Sequence, residues 1–190
     1  CRCALVFVDC CSSARRRRLV SPRILIVRLS ALGDVTMASG LIPALHARWP
    51  EAKISWLVEP ASVPLLRHNK GLDEVIVWPR REWAALLEQR RWRDLWRAVS
   101  RFRAELRARR FDLALDAQGL LKSGLMAWMT GAPRRVGLDS REGSRWLMTE
   151  QVLAPPVAGE APMSREYRQL ARALGAPDDA FQLDLAVGDA

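Results

Sequence analysis

Short runs of adjacent apolar residues alternate along this chain with longer stretches in which apolar positions recur every three or four residues. The first run, Ile24-Leu25-Ile26-Val27, is β-branched and apolar on both faces, the pattern of a strand buried inside a parallel sheet. Further strands are expected over 54–58, 75–78, 113–115 and around 135–138. Between the first two, Val35, Ala38, Leu41, Ile42 and Leu45 predict a single helix running to about Arg48, with Pro50 forcing the break. Leu95, Val99, Phe102 and Leu106 share one face of a predicted helix over 93–110. Shorter helices are expected over 63–67, 120–130 and 164–174. Strands alternating with helices imply an α/β fold, a Rossmann-like parallel sheet with helices on both faces. Ligands of such folds bind in the loops at the carboxyl ends of strands, which nominates 30–34, 59–62, 79–83 and 116–123.

Composition narrows this picture. With 190 residues, 49% hydrophobic and 27% charged, the chain suits one globular domain and lies far from the disordered regime. No run approaches the roughly 18 consecutive apolar residues of a membrane-spanning helix. The net charge of +9 is almost all arginine, since Lys53, Lys70 and Lys122 are the only lysines. Such a balance favours anionic partners without choosing among nucleic acid, phosphorylated lipid and nucleotide. A nucleic-acid-binding module is the alternative from another functional class, but no recognised binding motif accompanies the charge, and no nucleic acid is expected as a partner. The four cysteines, Cys1, Cys3, Cys10 and Cys11, lack the spacing of a metal site, so neither metal nor cofactor is expected. Together with the basic run Arg15 to Arg18 they mark residues 1–22 as a tail, or as upstream sequence joined to the domain; the domain itself is placed at 23–180.

Four features carry candidate chemistry. Asp34, in the turn after the first strand, is read either as a helix N-cap or as a carboxylate able to take a proton from an incoming hydroxyl. The segment Asp116-Ala117-Gln118-Gly119-Leu120-Leu121-Lys122-Ser123 passes from strand through a glycine loop into a helix with a lysine in its first turn. Free N–H groups there attract anions, and a lysine so placed is unfavourable unless an anion answers it. Eleven arginines face four acids between Pro79 and Arg110. Most belong to a solvated helix face, but Arg80 and Arg81 directly follow a strand, where their forks suit phosphate or carboxylate. The nearby Trp83, Trp92 and Trp96 either pack in the core, which is the expectation, or lie at a lipid interface. Finally, Arg141 follows the fifth strand, again at the sheet's carboxyl edge.

Taken in order, Ile24 to Val35, Trp56 to Glu59, Arg80-Arg81, Asp116 to Ser123 and Arg141-Glu142 resemble the lipopolysaccharide heptosyltransferase family, glycosyltransferase family 9, over about residues 23–175. The Asp-Ala-Gln-Gly-Leu-x-Lys-Ser segment and the arginine pair resemble heptosyltransferase I more than heptosyltransferase II. The resemblance implies the N-terminal, acceptor-binding half of a two-domain GT-B glycosyltransferase, with a C-terminal donor domain that this chain lacks. It further implies inverting, metal-independent transfer of L-glycero-D-manno-heptose from ADP-heptose to the Kdo sugar of Kdo-lipid A, in lipopolysaccharide inner-core synthesis. The alternatives within the family are heptosyltransferase II or another core-sugar transferase. By the same resemblance Asp34 is the catalytic base, while Ser30, Arg80, Arg81, Gln118, Lys122, Ser123 and Arg141 bind acceptor. The expected location is the cytoplasm, peripherally on the anionic inner face of the inner membrane.

Overall fold

The computed structural model describes residues 21–138, 143–153 and 162–184. In chain order these form β1 (Arg23–Val27), α1 (Leu32–Ala38), α2 (Leu41–Arg48), β2 (Lys53–Val58), α3 (Val63–Leu66), β3 (Glu74–Val77), α4 (Arg80–Glu88) and α5 (Trp92–Ala108). They continue as β4 (Leu113–Asp116), α6 (Leu121–Met129), β5 (Arg134–Leu138), β6 (Glu150–Val152) and α7 (Pro162–Ala173). The strands pair in the order β3-β2-β1-β4-β5-β6, all parallel. The chain thus builds outward from β1 in one direction, then crosses back and builds from β4 in the other. That reversal opens a crevice beyond the carboxyl ends of β1 and β4.

Alternation along β1 explains why both sheet faces are covered. Ile24 and Ile26 point into a core shared with α1, α2 and α7, while Leu25 and Val27 point into a second core shared with α5 and α6. The α5 positions Phe102 and Leu106 are buried, with Val99 packed against the same cluster, as the periodicity predicts. Trp83 closes this core edge-on against Trp78 and Phe102, at 6.1 and 5.5 Å between ring centroids.

Four details depart from the sequence expectations. The helix predicted up to Arg48 is two helices, α1 and α2, parted at Ser39-Gly40. Pro43 is the cause: in a continuous helix its ring would clash with the carbonyl of Ser39, and it is tolerated only in the first turn of a new one. Arg80 and Arg81 do not sit in a loop but open α4, an element whose weak apolar pattern gave no signal. A sixth strand, β6, extends the sheet beyond β5. Of the tryptophans expected in the core, Trp83 belongs there, but Trp92 and Trp96 are exposed. Ser21 and Pro22 already join the domain, through Ser21 Oγ donating to Glu51 O and Lys53 N–H donating to Pro22 O. The cysteines, the Arg15 to Arg18 run and Arg141 lie outside the described residues.

Candidate functional site

The loops leaving β1, β2 and β4 are stitched together at the carboxyl edge. The Ala117 N–H donates to Val27 O at 3.1 Å, Glu59 N–H to Leu29 O at 2.9 Å, and Leu29 N–H to Gln118 Oε1 at 3.1 Å. Gln118 therefore holds the β1 and β4 loops in register, whatever else it does. Ser30 is partly exposed beside this seam.

Asp34 is the third residue of α1, not its N-cap; that position belongs to Ala31. Its Oδ2 accepts the Ala31 N–H at 3.4 Å and pairs with Arg28 Nη2. Arg28 is buried, and its other terminal nitrogen donates to Ala117 O at 3.2 Å while its guanidinium lies 5.9 Å from the Tyr167 ring. A buried guanidinium needs an acceptor, and Asp34 supplies the charged one. The carboxylate is thereby fixed in direction while staying partly exposed at the crevice.

At the same carboxyl edge stands a three-residue charge cluster drawn from three strand ends. Arg80 Nη1 donates to Glu59 Oε2 at 3.2 Å, and Lys122 Nζ stands 3.9 Å from Glu59 Oε1. Glu59 is mostly buried, so one carboxylate answers two cations and leaves the cluster net positive. It also answers the first-turn lysine of α6, which in its absence would face the positive helix end. Arg81 adds an exposed cation next to the cluster.

Ser123 plays another part: it is fully buried, and its Oγ donates to Leu120 O at 2.8 Å and accepts the Leu120 N–H at 3.1 Å. It shapes the turn that presents Lys122, and its hydroxyl does not face the crevice. Asp116, at the end of β4, is also fully buried. Its Oδ1 accepts the N–H groups of Gln118 and Gly119, each at 3.0 Å, while Oδ2 has no hydrogen-bond partner. Burial pushes this carboxyl above the ordinary aspartate range, opposed by its hydrogen bonds and by Arg28.

Arg28 and Glu59 lie in segments that the sequence singles out, but neither is assigned a role of its own there. Arg28 gave one usable signal, a charge directly abutting a four-residue buried strand. Glu59 opens the nominated 59–62 loop, but nothing local points to its partners Arg80 and Lys122, which lie 21 and 63 positions away.

The family model for glycosyltransferase family 9 (heptosyltransferase) matches residues 99–189. Lipopolysaccharide heptosyltransferase 1 of Pseudomonas aeruginosa is 31% identical over 170 residues, covering 88% of this chain and 45% of that protein. The Escherichia coli K12 heptosyltransferase 1 is 27% identical over 138 residues, 70% of this chain and 39% of that protein. Among solved structures, E. coli heptosyltransferase WaaC with ADP-2-deoxy-2-fluoro heptose superposes with a TM-score of 0.70 at 24% identity, over 85% of this chain and 51% of that one, a likeness of fold. E. coli ADP-heptose lps heptosyltransferase II gives 0.59 at 26% identity, over 87% of this chain and 47% of that one. The chain spans less than half the length of the curated relatives named here. Its sheet is the Rossmann-like half-domain of a GT-B enzyme, and the chain belongs to glycosyltransferase family 9, the heptosyltransferases.

Proposed function

We propose that this chain is the acceptor-binding half of a lipopolysaccharide heptosyltransferase, most like heptosyltransferase I, which transfers heptose from ADP-heptose to the Kdo sugar of Kdo-lipid A with inversion and without a metal. The observation that carries the proposal is the carboxyl edge itself, which gathers a directed carboxylate, Asp34, and the net-positive Arg80-Glu59-Lys122 cluster. Kdo carries a carboxylate and lipid A carries phosphates, so Arg80, Arg81 and Lys122 offer the complementary charge. An acceptor anion would compete with Glu59 for Arg80 and Lys122, drawing the sugar across the crevice mouth. Asp34 would then take the proton from the attacking hydroxyl as the new glycosidic bond forms and the bond to ADP breaks. Ser30 also binds acceptor in this reading, as does Arg141 by the family resemblance alone, while Gln118 and Ser123 act by holding the loops in place. Donor binding falls to a C-terminal domain beyond this chain, and the enzyme works at the cytoplasmic face of the inner membrane.

The test is heptose transfer by the complete protein, using ADP-heptose with Kdo-lipid A or with an already heptosylated acceptor. Asp34→Asn should lower turnover by about 10²–10⁴-fold with circular dichroism unchanged. Retained turnover would leave Asp34 a helix-start residue only. Arg80→Ala and Lys122→Ala should each raise KM for the acceptor more than they lower kcat, and a chelator should change neither. Transfer only to the heptosylated acceptor would reassign the enzyme to the heptosyltransferase II reaction.

A further inference from the structure

Two exposed apolar stripes face one another on one side of the molecule. On α5, Trp92, Trp96 and Arg103 are spaced by four and seven residues and so share one stripe. On α6, Leu121, Leu125 and Trp128 do the same at four and three. The Arg103 guanidinium stacks on Trp128 at 4.9 Å, which brings the two stripes together across the space between the helices. A single domain has every reason to close such a seam. Here it stays open: Trp96 is 71% exposed, Trp92 60%, Leu121 53%, Leu125 41% and Trp128 39%. Five large apolar side chains exposed in one place mark a binding surface.

The setting selects the occupant. The segment from Pro79 to Arg110, which forms α4 and α5, carries eleven arginines against four acids, so a cationic field borders the seam. Tryptophan beside arginine fits a surface whose outer layer is anionic and whose inside is apolar. The seam's upper end also coincides with the crevice. α6 starts directly after the carboxyl end of β4, and α5 runs from that edge down to the amino end of β4. Leu121 therefore adjoins Lys122 of the charge cluster.

We infer that the α5–α6 seam is a docking surface for an anionic phospholipid bilayer, with Trp92, Trp96, Leu121, Leu125 and Trp128 entering the headgroup layer. This rests on the proposed function only in expecting the acceptor crevice to face the lipid. Docked this way, the enzyme would meet an acceptor held in the membrane without extracting it.

The test uses the full 190-residue chain and sedimentation with vesicles that contain no glycolipid acceptor, so its outcome does not depend on the transfer reaction. Binding is expected to vesicles of phosphatidylglycerol with phosphatidylethanolamine, to weaken with added salt, and to be slight on phosphatidylcholine alone. Trp92→Ser combined with Trp96→Ser should weaken binding at least about tenfold, with circular dichroism unchanged. In the complete protein the same pair should leave transfer to detergent-dispersed acceptor intact. Undiminished vesicle binding by the folded double variant would overturn the inference. So would equal binding to neutral vesicles, or a self-association of the chain that the same substitutions abolish.

Discussion

The buried charges are where single residues decide most. Asp116 holds two backbone N–H groups with one oxygen while its other oxygen is desolvated and unpartnered. Its folded-state pKa lies above the unfolded value, so its contribution to stability is fully present at acid pH and is lost as pH rises through the raised pKa. Asp116→Asn keeps an acceptor for both N–H groups and removes the buried charge. The variant should therefore melt at or above the parent temperature at pH 8, with the difference shrinking or reversing as pH falls towards 4. Asp116→Ala instead strands two buried donors and should cost about 1–3 kcal/mol at either pH. Thermal unfolding of the three proteins at both pH values checks this, and an asparagine variant as unstable as the alanine one at pH 8 would refute it.

At the scale of elements, α6 carries the most consequence, because it presents Lys122 to the crevice and Leu121 to the seam. Its seat depends on Gly124. A Cβ there would stand 2.7 Å from Ser144 Cβ and 3.3 Å from Ser144 Cα, in the turn Ser144–Leu147. Gly124→Ala should therefore cost about 1–3 kcal/mol by forcing that turn off the helix. Ser144→Gly should restore part of the loss when combined with it, a coupling measurable by a double-mutant cycle in denaturant. Additive costs would place the strain elsewhere. The α1–α2 break follows the same logic of local sterics, and Pro43 announces it three residues downstream.

For the whole molecule, the strand order brings the Asp34 carboxylate and the charge cluster to one carboxyl edge of the sheet, and the proposed function leaves donor binding to a domain beyond these residues. The 190-residue chain by itself should bind acceptor weakly and transfer no heptose, as measured by product formation from ADP-heptose. Robust turnover would show that these residues bind donor as well, and would overturn that division of labour.

The α/β alternation, five of the six strands, the core face of α5 and the strand-end positions of Asp34, Arg80, Arg81 and Lys122 follow from the order of residues alone. These are legible because hydrophobic period and strand–loop–helix succession are local properties, readable within a dozen residues. Tertiary structure alone decided that Arg28 is buried and fixes Asp34, that Glu59 joins Arg80 to Lys122, that Ser123 is turned inward, and that Trp92 and Trp96 are left outside the core. Each of these depends on contacts between residues distant in sequence, or on which side of a helix the neighbouring element happens to cover. A periodic pattern states that a helix has two faces; only the packed sheet determines what lies against each.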